Sequence, residues 1–90
     1  MLSDLELVSK LQALRKEERR ITGEVLQLLR EVYRRRVHLR LGYESLFTFL
    51  VKELGYDEAA AYRRLNTVKA LEAIPEIEKK LEEGGLLSVP

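Results

Sequence analysis

Apolar residues at Leu7, Leu11, Leu14, Ile21, Val25, Leu28, Val32 and Leu39 fill eight of ten successive slots of a 3.5-residue repeat. Glu18 and Arg35 hold the other two slots. Ser3 with Glu6 three residues on makes a capping box, so the first helix is expected to begin near Asp4. No Pro precedes position 75, and the pattern allows one helix to about Arg40, roughly 55 Å long. It equally allows a break. Lys16-Glu17-Glu18-Arg19-Arg20 lacks an apolar residue, and Thr22-Gly23 follows with poor helix formers. A continuous helix, or one kinked near residues 19–23, is the favoured expectation.

A second pattern punctuates the middle of the chain. Leu41-Gly42-Tyr43-Glu44 and Leu54-Gly55-Tyr56-Asp57 repeat one phrase, Leu-Gly-Tyr-acid. Each copy reads as a helix stop followed by a helix start, with Gly supplying a left-handed C-cap. The acid or Ser that follows accepts from the free N–H groups of the next helix. Between the copies, helix two is expected over about Ser45–Leu54, with Leu46, Phe47, Phe49, Leu50 and Leu54 as a wide buried face. Helix three is expected from Glu58 to about Ala73, capped by Asp57, with Ala61, Tyr62, Leu65, Val68 and Leu71 on one face. Pro75 is expected to end it near Ile74 and to open a fourth helix, Glu76 to Glu83, stopped by Gly84-Gly85. The apolar tail Leu86-Leu87-Ser88-Val89-Pro90 reads as a lead-in to a further segment or as a docking strand for a partner. The fold class is therefore all-α: about four helices, a long first helix, a helix-turn-helix-like pair and a short fourth helix. Ninety residues make a single helical domain, 1–90.

Charge adds position rather than excess. Lys+Arg (16) and Asp+Glu (15) nearly balance at +1. Residues 1–69, however, carry fourteen Lys/Arg against ten Asp/Glu, so the basic side is the first three-quarters of the chain. Arg30, Arg34, Arg35, Arg36 and Arg40 are five Arg within eleven residues, diluted only by Glu31. They read either as a phosphate-contacting stripe or as a solubilising face at the negative end of the first helix. Arg63, Arg64, Asn66 and Lys69 lie where the second helix of a helix-turn-helix presents side chains to a DNA major groove. The fit is incomplete, because such a helix buries a residue near position 64, and that residue is Arg. Tyr62 and Leu65 substitute if the helix is rotated. Ala59-Ala60-Ala61 permits close packing in a helix-turn-helix and in plain bundles alike.

Catalytic chemistry finds no footing. The chain has no Cys and one His, so neither a disulfide framework nor zinc chemistry is expected. His38, between Arg36 and Arg40, reads as a surface or interface residue. There is no phosphate loop and no nucleophile motif, so no enzyme activity, cofactor, metal or small-molecule substrate is expected. No apolar run reaches the ~18 residues of a membrane span, and a soluble, cytoplasmic protein is expected. The 3.5-residue seam serves either as the strip on which the later helices pack or, where those short helices leave it bare, as a homodimer interface. The residues expected at that interface are Leu7, Leu11, Leu14, Ile21, Val25 and Leu28.

The strings Leu-Gly-Tyr-x-Ser-Leu-Phe-x-Phe at 41–49 and Glu-Leu-Gly-Tyr-x-Glu-x-x-Ala-Tyr-Arg-Arg-Leu at 53–65 carry a resemblance. So do the Leu-Ser-Asp-x-Glu-Leu start, Ile74-Pro75-Glu76-Ile77 and Gly85-Leu86-Leu87-Ser88. Together they resemble the all-helical region that precedes the nuclease domain in a group of bacterial HNH endonuclease proteins. The family's catalytic His-Asn-His residues lie in a downstream domain that is not in this sequence. What the resemblance implies is a non-catalytic module, binding double-stranded DNA or driving assembly. The expected function is thus a helix-turn-helix-like, dimeric DNA-binding module, with a dimerisation module that does not touch nucleic acid as the alternative.

Overall fold

The computed structural model of the chain describes the backbone of residues 1–82 and the side chains of residues 1–75. Within them the protein is all-helical: α1 (Asp4–Arg35), α2 (Val37–Arg40), α3 (Leu46–Lys52) and α4 (Glu58–Glu82). The number four agrees with expectation, but the chain reaches it by a different division.

α1 starts where the capping signal puts it. Ser3 is its N-cap, and its Oγ accepts from the Glu6 N–H at 3.2 Å while donating to Glu6 Oε1 at 3.1 Å. The apolar-free stretch does not interrupt the helix. Arg20 pairs with Glu17 one turn back and donates to Glu24 at 2.7 Å one turn on, and Lys, Glu and Arg are good helix formers in themselves. The interruption comes later, at Arg36 rather than past Arg40. Arg36 is left-handed (φ 54°, ψ 38°), and its N–H turns back onto the Tyr33 and Val32 carbonyls. It is the only non-glycine residue with positive φ among the described residues. Such a conformation is sterically costly for a side chain bearing Cβ, which is why nothing in the Arg run announces it.

The repeated Leu-Gly-Tyr phrase does what its residues dictate. Gly42 (φ 93°) and Gly55 (φ 78°) are both left-handed. At the first copy the Gly42 N–H bonds the Leu39 carbonyl and the Tyr43 N–H bonds the His38 carbonyl, each at 3.0 Å. That pair of bonds is a Schellman motif closing α2. At the second copy the Tyr56 N–H reaches back to the Leu50 carbonyl at 3.0 Å. Ser45 then caps α3, accepting from the Thr48 N–H at 3.0 Å, and Asp57 Oδ1 caps α4, accepting from the Ala60 N–H at 2.7 Å. The expected helix Ser45–Leu54 is thereby trimmed to Leu46–Lys52, because Glu53 and Leu54 belong to the turn.

Pro75 does not end a helix. α4 runs through it to Glu82, so no separate fourth helix begins at Glu76. Proline removes one N–H and crowds the carbonyl four residues back. The flanking Glu72-Ala73 and Glu76-Ile77-Glu78-Lys79-Lys80 are mostly strong helix formers that carry the element across that single defect. The expected stop at Gly84-Gly85 and the apolar tail lie outside the described residues.

The core is small: Leu29 of α1, Leu46, Phe49 and Leu50 of α3, and Ala61 and Val68 of α4. Ala61, Leu65, Val68 and Glu72 follow the 4-3-4 spacing of one face of α4. Two aromatic pairs brace α3, with Tyr43 edge-on to Phe49 at 5.6 Å and Phe47 beside Tyr62 at 5.0 Å. Leu54, expected in the buried face, is exposed, as is much of Tyr62. α2 returns from the Arg36 turn so that His38 is buried, at 7% exposure, instead of lying at the surface as expected.

Candidate interaction surfaces

The structure divides α1 into two lengths with opposite surroundings. From Val25 onward, Val25, Leu26, Leu29, Val32 and Tyr33 pack against α3 and α4. Every residue from 1 to 21 is exposed. This arm holds about 27 Å of helix between Asp4 and Ile21 with no covering element among the described residues. Of the six residues expected at a dimer interface, Leu7, Leu11, Leu14, Ile21 and Leu28 are 47–68% exposed. Val25 differs: it is half-buried and shared with the core.

Where the arm meets the body, an apolar groove of about 370 Å³ opens between Val25, Leu28, Leu29 and Val32 of α1 on one side and Phe49, Leu54 and Tyr56 on the other. Leu28 and Leu54 form its open rims, at 68% and 48% exposure. The groove is continuous with the leucine seam of the arm, because Leu28 belongs to both. The exposure of the seam along the arm follows the alternative in which the later helices leave it bare, whereas no residue pattern points to the groove.

The Arg cluster is partly engaged within the chain. Arg30 Nε donates to Glu72 Oε1 at 2.6 Å and Arg34 Nε reaches Glu72 Oε2 at 3.2 Å, so one carboxylate at 16% exposure holds two guanidiniums from α1. Glu72 sits on the core face of α4 one step beyond Val68, where an apolar residue would ordinarily follow. An acid in that slot is the signal that points to it. Arg40 donates to the Arg35 carbonyl at 2.8 Å, tying α2 back to the end of α1. Arg35 and Arg36 are exposed and make no ion pair among the described residues. Beside them Tyr33, Arg34, Arg36, His38 and Leu39 line a second cavity of about 310 Å³, and His38 Nδ1 is buried without a hydrogen-bond partner among the described residues.

On α4 the four groove-reading candidates separate. At 100° per residue, Arg63, Asn66 and Lys69 share an outward arc of about 120°, and all three are exposed. Arg64 lies about 100° from Arg63, toward the core. It is half-buried, with its guanidinium 5.8 Å from the centre of the Tyr56 ring. The position that a helix-turn-helix fills with an apolar side chain is thus filled by an Arg whose guanidinium lies over a tyrosine ring, and Ala61 and Val68 supply the buried contacts to either side.

Three side chains have displaced ionisation, and the Arg20 guanidinium is raised by its hydrogen bond to Glu17 and by the charge of Glu24. The Glu17 carboxyl is held below the ordinary carboxylate range by its hydrogen bond to Arg20, which outweighs burial. The Tyr43 phenol is pushed up by the hydrogen bond it donates to the Glu53 carboxylate, with burial and the negative charge adding in the same direction. None stands beside a cluster that would use it in catalysis. Among the described residues no three His, Asp or Glu side chains are grouped to hold a metal ion, and no helix is long and apolar enough to cross a membrane. No protein-family model, curated protein or solved structure matches the chain.

Proposed function

We propose that this chain is a self-association module whose α1 arm pairs with the arm of a second copy. The single observation that carries this reading is the bare leucine seam. Leu7, Leu11, Leu14 and Ile21 repeat at heptad spacing on a helix that no other described part of the chain covers. An isolated helix of this length is marginal in water, and its stability ordinarily comes from packing an apolar face. A partner helix supplies that packing. On the resemblance to the region ahead of an HNH nuclease domain, the module joins or positions catalytic domains and carries no chemistry of its own. Sedimentation velocity across a hundredfold range of concentration tests the reading. Dimers are expected for the full chain and monomers for Leu11→Asp with Leu14→Asp. A full chain that stays monomeric throughout would refute it.

A second reading, duplex DNA binding, is favoured by the outward arc of Arg63, Asn66 and Lys69 on the second helix of the Gly55-linked pair, with exposed Arg35 and Arg36 available for phosphates. Arg34, Arg40 and Arg64 contribute less, since their guanidiniums are engaged within the chain. Fluorescence anisotropy with duplex DNA at two salt concentrations checks it. Binding should weaken steeply with salt, and Arg63→Ala with Asn66→Ala should blunt sequence preference while Arg35→Ala weakens all sequences alike. Absence of binding at low salt removes this reading and leaves the first untouched.

A further inference from the structure

We infer that the two copies pair antiparallel, with Leu7, Leu11 and Leu14 of each arm seated along the apolar groove of the other. This inference rests on the self-association reading and specifies its geometry. The seam occupies two heptad positions: Leu7, Leu14, Ile21 and Leu28 at one, and Leu11, Glu18, Val25 and Val32 at the other. In antiparallel pairs each position of one kind faces one of the other kind across the interface. Pairing Leu11 with Leu28 of the second copy then places Leu7 on Val32, Leu14 on Val25 and Glu18 on Ile21. The two-fold axis passes between Arg19 and Arg20, and every contact recurs with the copies exchanged. The three leucines of the arm land on Val32, Leu28 and Val25, three of the four α1 residues that line the groove. Phe49, Leu54 and Tyr56 form its opposite wall. The arm thus covers the groove, and the groove covers the arm.

Charge selects the same arrangement. A parallel, in-register pair sets Glu18 against Glu18 inside the seam, burying two like charges. It also sets Lys10 across from Arg15 at the flanks, a like-charge contact. The antiparallel pair sets each Glu18 beside Ile21 instead and brings Lys10 to Glu31 of the second copy. It also brings Glu17 near Glu24, but both carboxylates already share Arg20 within their own chain. Sliding the antiparallel pair by one heptad is worse in either direction. One shift sets Leu28 on Asp4, and the other sets Leu11 on Arg35.

The absence of native Cys makes the geometry directly measurable. Ser9 faces away from the seam and is exposed, so Ser9→Cys carries a nitroxide label without disturbing the contact. Gln12→Cys is a second site if the first variant misfolds. Pulsed electron-spin distances in the full chain are expected to include an axial separation of roughly 30 Å between the two Ser9 positions. Oxidising an equimolar mixture of Leu11→Cys and Leu28→Cys chains is expected to yield mainly the mixed disulfide. Dimers whose Ser9 labels lie side by side, or that give mainly the two symmetric disulfides, overturn the antiparallel geometry while leaving self-association standing. Monomers at every concentration overturn both.

Discussion

The arm and the body of this molecule are drawn from one hydrophobic repeat and meet opposite fates. From Val25 to Val32 the repeat is folded against α3 and α4; from Leu7 to Ile21 the same repeat faces water. The difference lies in where the other helices meet α1. α1 spans about 48 Å and α3 only about 10 Å, while α4 meets α1 at Arg30 and Arg34 through Glu72, so the cover ends near Val25. A heptad pattern therefore fixes which side of a helix is apolar. What covers that side depends on the elements elsewhere in the chain, or on a second chain.

Deleting matching leucines from the two regions should give the largest difference between them. Leu50 is wholly buried, and Leu50→Ala is expected to lower stability by about 2–5 kcal/mol. For a core of six buried residues among those described, that is enough to unfold much of the population at room temperature. Leu11→Ala removes the same atoms from a side chain 64% exposed. At dilutions where the chain is monomeric, it should change stability by no more than about 0.5 kcal/mol. Urea unfolding of both variants under those conditions makes the test. Equal losses would mean that the arm is covered within its own chain after all.

Next in size is the polar contact between α1 and α4. Glu72→Gln leaves two guanidiniums without their carboxylate, and a loss of about 1–2 kcal/mol is expected, below the value for a fully buried pair because Arg34 is half-exposed. The counterpart on the arm is Glu17→Gln, which breaks an exposed pair with Arg20. No measurable change in unfolding midpoint is expected there. If the two substitutions act equally, the Glu72 contact is no more than another solvated pair.

The comparison also explains what could be read in advance. Ser3, Ser45 and Asp57 act through N–H groups within three residues of themselves, so their capping roles were legible from spacing alone. The glycines of the Leu-Gly-Tyr phrases were legible for the same reason. The two Arg held by Glu72 depend on a residue 42 positions beyond Arg30, and the left-handed turn at Arg36, with the burial of His38 after it, is one that nothing in the Arg run announces. Pro75 does not end α4 because the helix-forming segments on both sides of it outweigh the penalty that proline imposes. The DNA-reading candidates were legible as a list but not as a surface. Arg64 was separated from Arg63, Asn66 and Lys69 by its contact with Tyr56.

A smaller effect separates the caps. Ser45→Ala removes the acceptor for the Thr48 N–H at the start of a seven-residue helix that carries half the core. About 1 kcal/mol of global stability should be lost, seen as a lower thermal midpoint. Ser3→Ala removes the equivalent acceptor at the free end of the arm. It should fray the first turn and reduce helical ellipticity slightly, with the midpoint unmoved. A matching fall in midpoint for Ser3→Ala would show that the arm and body unfold as one unit.

The smallest expected effect, pH, pulls the two regions in opposite directions. In the body the Tyr43 phenol is raised by its hydrogen bond to Glu53. A group raised on folding contributes stability that is fully present below its unfolded value, about 10 for tyrosine, and is lost as pH climbs through the higher folded value. In the arm the Glu17 carboxyl is lowered by Arg20. Its contribution is present above the unfolded value, about 4.3 for glutamate, and is lost as pH falls through the lower folded value. Alkali should therefore lower the thermal midpoint of the body, and acid should loosen the helix of the arm. Tyr43→Phe serves as the control. It should flatten the slope of midpoint against pH above about 9 while leaving the acid limb of the helical signal as it was. An unchanged alkaline slope in Tyr43→Phe would mean that the Tyr43–Glu53 bond does not persist in solution, and that the turn between α2 and α3 is held by its backbone bonds alone.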